Sequence, residues 1–593
     1  MSEPKKVSQL FQLWTYIRPY KLHFFAAIFL TVVMSILNVA EPYILGLAIT
    51  EIGNNVADML RNETNAGINY PFIYRIMLIY FLRALVYQAT ILFSQRFMTK
   101  VVQAAMQDLR ADLDEKINRL PVSFFDSQSF GDVLSRVTND VDAVSNALQQ
   151  SLLQIVNAIL GIFFAVTMLV LISWKLAIVA FIMIPTSYIL SKKITIISQP
   201  YFSGQAKYLG QLNGFVQENL SGFNVIKLYG KEDDSVGEFE TINNNLRQSG
   251  FKAAFISGLM SPLTALVSNL AYIAMAGFGI MQVVAGMLTI GNVQAAAQYV
   301  WQINQPITMI TQLAGVIQSA AAATQRIFGF MAEEELVETD TQSIPMTIKG
   351  DISFEDISFS YTEKEPLIRN FNVDVKSGET VAIVGPTGAG KTTMINLLMR
   401  FYDVDSGSIK LDGVDIRSYS RQDYRSQFGM VLQDAWLYQG TIADNIRFGN
   451  LEATDDEVRA AAEAANVDHF IQTLSEGYDT VINQEASNIS LGQKQLLTIA
   501  RTFIANPKVL ILDEATSSVD TRLEMLIQKA MSKIMEGRTS FVIAHRLSTI
   551  RDADLILVMD KGQIIEQGSH DQLMEKAGFY FELYNSQFQE EAE

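Results

Sequence analysis

Long apolar windows alternate with polar stretches over the first half of the chain and then stop. The windows 22–49, 72–98, 152–173, 176–190, 253–284 and 293–317 approach or exceed the roughly 20 apolar residues that cross a hydrocarbon core, the fourth provided that its helix continues past Ser191. The pattern predicts about six membrane spans. Gln294, Gln298, Gln302, Asn304, Gln305 and Gln312 interrupt the last of them. Segments 100–150 and 192–252 are polar and amphipathic at helical spacing, so the membrane helices are expected to run on into water. Beyond residue 328 an acidic stretch, AEEELVETDTQ, leads into short β-rich runs such as DISFEDISFSY and ETVAIVG that alternate with helical segments. That texture is α/β. The expected organisation is an α-helical transmembrane domain with long cytoplasmic extensions at 1–330, a linker at 331–349 and an α/β domain at 350–593.

Composition agrees with the pattern. Of 593 residues, 49% are hydrophobic and only 18% charged, and the mean hydropathy of +0.18 is too high for a soluble enzyme of this length. The net charge of -17 excludes a nucleic-acid backbone as partner, since phosphates need a basic face. Without cysteine there is no disulfide or thiolate chemistry. The opening MSEPKKVSQLFQLW has no apolar core followed by a cleavage site, which predicts no removable signal peptide. Lys5, Lys6, Arg110, Lys116, Arg119, Arg136, Lys192, Lys193, Lys227, Lys231 and Arg247 fall on one side of the spans, against Arg61 and Lys175 on the other. Both termini and the α/β domain are therefore expected in the cytoplasm.

Two motifs carry chemistry. In VAIVGPTGAGKTT an apolar strand, 381–384, precedes Gly385, Thr387, Gly388, Gly390, Lys391, Thr392 and Thr393, and TMINLLMRF continues as a helix. Glycines let backbone N–H groups wrap phosphates, Lys391 adds a cation and the Thr392 hydroxyl can ligate magnesium. Farther on, KVLILDEAT ends an apolar strand in Asp513 and Glu514. Alone, such a pair is often a strand-end turn; beside a phosphate loop, Asp513 suits a magnesium shell and Glu514 can polarise an attacking water.

Together these features resemble the ATP-binding cassette (ABC) exporters, half-transporters in which a six-helix membrane domain precedes the nucleotide-binding domain. The resemblance covers the whole chain. It implies ATP and Mg2+ as cofactors, Tyr361, 24 positions before Gly385, as the aromatic that stacks on adenine, and Gln433 as a magnesium contact facing the membrane domain. It also implies Asp520 at a dimer interface, Glu514 as catalytic base and His545 as the contact to the γ-phosphate. Segments 121–140 and 218–234 resemble the loops that couple the two domains. Where the family has LSGGQ, a motif that closes over ATP on the partner subunit, this chain reads ISLGQ: Ser490, Gly492 and Gln493 match, whereas Ile489 and Leu491 depart. Just before it, INQEAS puts Asn483, Gln484 and Ala486 where the family has Gly, Glu and Gly. At Leu491 a side chain hinders close backbone approach and glycine's conformational freedom is lost.

Two consequences stand open. The changes are tolerated in a homodimer, or the chain pairs with a different half-transporter to make one hydrolytic and one degenerate site. The implied function is ATP-driven, multidrug-type export of amphipathic small molecules across the bacterial cytoplasmic membrane. Lipid or peptide export and an ATP-gated channel or regulatory cassette are the alternatives. For the substrate, Gln298, Gln302 and Gln305 share one helical face, as helix-to-helix glue or as cavity lining. Glu41 stands about 28 Å along its helix from Leu22, where it meets Arg83, faces water or attracts a cationic substrate.

Overall fold

The structure is a computed structural model that describes residues 10–61, 67–336, 348–362, 367–432, 435–483, 486–513, 521–543 and 547–588. It divides into two compact units, Met1–Leu120 with Gln128–Glu334, and Pro121–Ser127 with Glu335–Glu593.

The first unit is helical. Its main elements are α1 (Lys21–Leu60), α2 (Tyr70–Arg119), α4 (Leu152–Ile172), α5 (Trp174–Ser221), α6 (Phe223–Tyr229), α7 (Glu232–Gly258), α8 (Met260–Val284) and α9 (Ile290–Met331), while a short α3 (Val122–Ser127) falls in the second unit. Six of the described helical stretches are long and apolar enough to cross a membrane. Several outrun their apolar windows: α2 continues to Arg119 and α5 to Ser221. The fifth expected window is broken at Leu259, between α7 and α8. Pro262 follows in the first turn of α8, where its missing N–H costs no helical bond but stops the preceding helix from running straight through.

The membrane helices are stitched where backbone bonding fails. Pro42 lies inside α1 and cannot donate to the carbonyl of Asn38, four residues earlier. In a low-dielectric interior that carbonyl needs another donor. Gln302 Nε2 of α9 supplies it at 3.2 Å, the Tyr299 hydroxyl donates to the neighbouring Val39 carbonyl at 2.7 Å, and Arg83 of α2 donates to the Leu37 carbonyl at 2.9 Å. Around this point Ala165, Ala177, Ala180, Ala295 and Ala296 are buried in the packed core. Small side chains let these backbones approach closely.

The second unit contains β1 (Ile352–Phe359), β2 (Ile368–Val375), β3 (Thr380–Val384), β4 (Ser406–Leu411), β5 (Val414–Asp415), β6 (Phe428–Val431), β7 (Gly440–Thr441), β8 (Val481–Ile482), β9 (Val509–Asp513), β10 (Thr539–Ile543), β11 (Leu555–Asp560) and β12 (Gln563–Gly568). One sheet has the order β2-β1-β4-β5 and is antiparallel; the larger has the order β12-β11-β3-β10-β9-β6, parallel except for β12. Strands β3, β9, β10 and β11 of the larger sheet are covered on both faces, so they read as apolar runs, whereas β12 at its edge is partly exposed. Alternate residues of β3 divide between two cores: Val381 and Ile383 pack toward the smaller sheet, Ala382 and Val384 toward the helices on the other side.

Replacing Gln302 with Leu should lower stability by about 1 kcal/mol, because the Asn38 carbonyl loses its donor. Thermal unfolding in detergent measures this. The loss should shrink in a Pro42→Ala background, where the restored N–H serves that carbonyl; equal losses in both backgrounds would contradict the stitch.

Candidate functional site

Register places the chemistry. In the larger sheet Ile543 of β10 pairs with Ile383 of β3 and with Asp513 of β9, and Val431 of β6 pairs with Leu512. The carboxyl ends of four strands therefore finish along one edge. The phosphate loop leaves β3 at that edge. Gly385 has φ +153°, and a Cβ there would lie 2.2 Å from the Met559 carbonyl oxygen, so only glycine lets the loop turn against β11. The loop ends at Gly390, left-handed at φ +100°, which caps α10 (Lys391–Leu398) without a side-chain hydrogen bond. The first turn of α10 thus keeps N–H groups for an anion, at the positive end of its dipole.

Lys391 folds back over the loop, donating to the carbonyls of Gly385 at 2.7 Å and Pro386 at 3.1 Å. Burial pushes its ammonium pKa down, and the Asp513 carboxylate pulls it back up. Thr387 and Gly388 lie in the loop, and Thr392 and Thr393 follow Lys391 in the first turn. Thr392 and Asp513 offer a hydroxyl and a carboxylate near one cation, hard oxygen donors that fit Mg2+. Gln433, Glu514, Asp520 and His545 lie outside the described residues.

Tyr361 stands at the end of β1 with its ring edge-on to Phe359 and Tyr402, at centroid distances of 4.9 Å and 5.0 Å. Its hydroxyl donates to Thr393 Oγ1 at 3.2 Å and accepts from Asn396 at 3.3 Å, which ties it to α10. With 46% of its surface exposed, the ring retains an open face for stacking. Sequence reasoning did not single out Tyr402, whose hydroxyl donates to Asp126 of α3. Burial first, then this bond, pushes the Tyr402 phenol pKa up. A short helix of the 121–140 segment is thereby joined to the aromatic pair beside the phosphate loop. Only a partner distant in sequence marks Tyr402, so no local motif reveals it.

The ISLGQ stretch opens α11 (Leu491–Ala505). Ser490 is its cap: Gln493 N donates to Ser490 Oγ at 3.4 Å and Gln493 Oε1 accepts from Ser490 N at 3.0 Å. Leu491 is helical, is absent from the residues with positive φ and is 44% exposed, while Gly492 is buried. The expected loss of glycine's freedom at 491 therefore has no backbone consequence, because helical φ suits any L-residue. What remains is the isobutyl group projecting at a helix start. Backbone strain lies instead at Ala486, where φ is +48° and a Cβ costs about 1 kcal/mol relative to glycine. Asn483 closes that turn: its Oδ1 accepts from Ser487 N at 2.8 Å and its carbonyl from Ala486 N at 2.9 Å.

In the membrane unit, Glu41 forms an ion pair with Arg83 at 2.8 Å and accepts from the Tyr80 hydroxyl at 2.8 Å. Of the options open from sequence, the structure shows the Arg83 pair. The three glutamines part company. Gln302 is the stitch described above, Gln298 is half-buried, and Gln305 lines a cavity of about 470 Å3 with Gln154, Trp301 and Asn304.

Comparison with known proteins follows the same division. The ABC transporter transmembrane region profile matches residues 24–307, and the ABC transporter profile matches residues 368–517. A fatty acid ABC transporter ATP-binding/permease protein of Mycobacterium bovis is 44% identical over 533 residues, which is 89% of this chain and 84% of that one. An ATP-dependent lipid A-core flippase of Desulfotalea psychrophila is 33% identical over 97% of this chain and 99% of its own. A bacterial Atm1-family ABC exporter solved with ATP bound superposes with a TM-score of 0.76 at 26% identity, over 97% of this chain and 99% of that one.

Tyr402→Phe should preserve ATP binding but lower substrate transport per ATP hydrolysed by about threefold, a loss of about 0.6 kcal/mol for one partly exposed hydrogen bond. Paired ATPase and transport assays in proteoliposomes measure the ratio. An unchanged ratio would show that the Asp126 bond does not couple the two activities.

Proposed function

The chain belongs to the ABC transporter family, as an exporter half-transporter with its transmembrane region and ATP-binding domain in one polypeptide, and from that premise we propose that it acts as one half of a heterodimer with unequal ATP sites, exporting an amphipathic, lipid-like molecule. It is a multi-pass membrane protein and an ATPase coupled to transport. The membrane is the bacterial cytoplasmic membrane, with both termini and the nucleotide-binding domain, 350–593, in the cytoplasm.

One observation carries the unequal-site reading. The capped start of α11, which in this family closes over ATP on the partner subunit, bears Leu491 with 44% of its surface exposed. An isobutyl group projecting there keeps the backbone from closing tightly on a γ-phosphate, and the strained Ala486 turn feeds the same helix. By contrast, the phosphate loop with Lys391, Thr392 and Asp513 is complete. This chain therefore contributes a competent loop to one site and a hindered lid to the other. At the competent site Thr392, Asp513 and Gln433 would hold Mg2+, which when bound supplies charge neutralisation across the phosphates. Glu514 orients and deprotonates the attacking water, His545 steadies the developing charge and Asp520 faces the partner chain. Lys391 already lies across the loop where that charge forms.

Exposed apolar side chains support the partner. Phe223, Val225, Leu228 and Tyr229 are all more than half exposed on α6, which follows Gly222 and ends at left-handed Gly230. A water-facing helix of this kind fits a groove on a second chain's nucleotide-binding domain. For the cargo, the similarity to transporters named for a fatty acid and for lipid A-core supports a lipid-like molecule. The cavity beside Gln305 combines Trp301 with polar Asn304 and Gln154, which equally suits the multidrug-type reading of smaller amphipathic molecules.

The test is ATP turnover by the purified chain, alone and with candidate partner half-transporters. Turnover should require the partner, and Glu514→Gln in the assembled pair should lower it by at least about 100-fold while nucleotide binding persists. Vigorous hydrolysis by the chain alone would establish a homodimer, and robust turnover by the variant would remove Glu514 as the base.

A further inference from the structure

The chain passes between its two units at two places: it leaves the membrane unit after Leu120, returns at Gln128 and leaves again after Glu334. On the membrane side those places are fastened together. Lys116, one turn before the first exit and buried, donates to the carbonyl of Glu333, just before the second. Arg136 donates to Gln128 Oε1 at the point of return, at 3.0 Å, and lays its guanidinium over the ring of Phe330, 5.9 Å from the centroid. A two-pronged link joins Asp140 to Arg326 of α9: Nε donates to one carboxylate oxygen at 2.8 Å and a terminal nitrogen donates to the other. Arg326 and Phe330 stand one turn apart, so the last turns of α9 are gripped along one face.

Stability alone does not account for the Asp140 pair. The Asp140 side chain is 8% exposed, and taking a carboxylate out of water costs about as much as its pairing returns, so apolar side chains of similar volume would hold the same place as firmly. What two parallel bonds from a planar guanidinium add is geometry, because they fix distance and rotation together. Asp140 is also the last residue of a π-helical turn, Arg136–Asp140, a local widening that is frequent at functional sites. The helix it grips leads to the polar cavity: Gln305, which lines that cavity, stands about 31 Å from Arg326 along α9.

We propose that Asp140 and Arg326 are positioning residues that turn a nucleotide-driven displacement of segment 121–127 into movement of α9, and with it of the cavity beside Gln305. The pair keeps the last turns of α9 at one distance and one rotation from the segment that follows α3. A pull on either crossing is then shared by both, because Lys116 and Arg136 tie the crossings to the same end of α9. ATP can be hydrolysed without the pair; what is lost is the transfer of that event to the cavity. The inference needs only an ATPase coupled to transport, so it holds whether the partner is a second copy or a different chain, and whatever the cargo.

The test uses the full transporter with its partner in nanodiscs and reads the cavity directly. As the chain has no cysteine, Gln305→Cys supplies one labelling site, and its rate of reaction with fluorescein maleimide, followed on this chain's own gel band, is compared without nucleotide and with ATP and vanadate. With Asp140 and Arg326 intact, nucleotide should change the rate at least about threefold. In Asp140→Leu, Arg326→Met it should change the rate less than about 1.5-fold, while ATP hydrolysis stays within about twofold and the melting temperature within about 2 °C. Arg326→Lys, which keeps the charge but not the planar fork, should fall between the two. A full nucleotide response in the double variant or in Arg326→Lys, or none in the intact transporter, would overturn the proposal. So would hydrolysis falling in step with the response, the mark of a purely structural role. Should the double variant fail to assemble, Arg326→Lys decides.

Discussion

A parallel sheet delivers its strand ends to one edge, and the ATP chemistry of this chain depends on the in-register meeting of Ile383, Ile543 and Asp513 there. Apolar alternation in β3 fixes that register. Val381 and Ile383 must face one core while Ala382 and Val384 face the other, so a one-residue slip would invert every contact. Once the strand is pinned, Gly385 turns the loop against β11 and Gly390 starts α10 with its amide groups unclaimed by a cap. The same edge brings the Asp513 carboxylate near enough to influence Lys391. Phosphate binding follows from the sheet's topology before any single side chain is considered.

The membrane unit answers a related constraint by different means. Inside a bilayer an unpaired carbonyl has no water to turn to. Pro42 creates one at Asn38, and Gln302, Tyr299 and Arg83 bring donors from two other helices to three consecutive carbonyls. Arg83 then has its own charge met by Glu41 and its guanidinium set against the rings of Tyr80 and Tyr87. Polar residues that look like transport machinery in a hydropathy profile serve here as fasteners. Other polar groups line open volume, Gln305, Asn304 and Gln154 among them at one cavity.

Features set by period or local motif were legible in the sequence. Apolar windows announced the six spans, and the run of 381–384 into Gly385 announced the strand, loop and helix of the phosphate site. Features that need a distant partner were not. The Tyr402 to Asp126 bond links residues 276 positions apart, and the division of labour among Gln298, Gln302 and Gln305 depends on which helix each faces. Leu491 was legible as an oddity with two expected effects: its side chain does project, 44% exposed, whereas the backbone effect falls at Ala486, five positions earlier, where φ is positive. The π-helical turns at Arg136–Asp140 and Ala147–Ser151 have no periodic signature in a window dominated by helical spacing.

The central claim is that the lid formed by Ser490 and Gly492 covers a phosphate loop belonging to a different polypeptide. Since the chain has no cysteine, a Ser490→Cys, Gly388→Cys variant expressed with its natural partner reports the geometry directly through ATP-dependent disulfide formation. The unequal-site reading predicts no disulfide-linked dimer of two copies of this chain, and a cross-link only when the matching loop cysteine is placed in the partner. Efficient ATP-dependent cross-linking of two copies of this chain would contradict it.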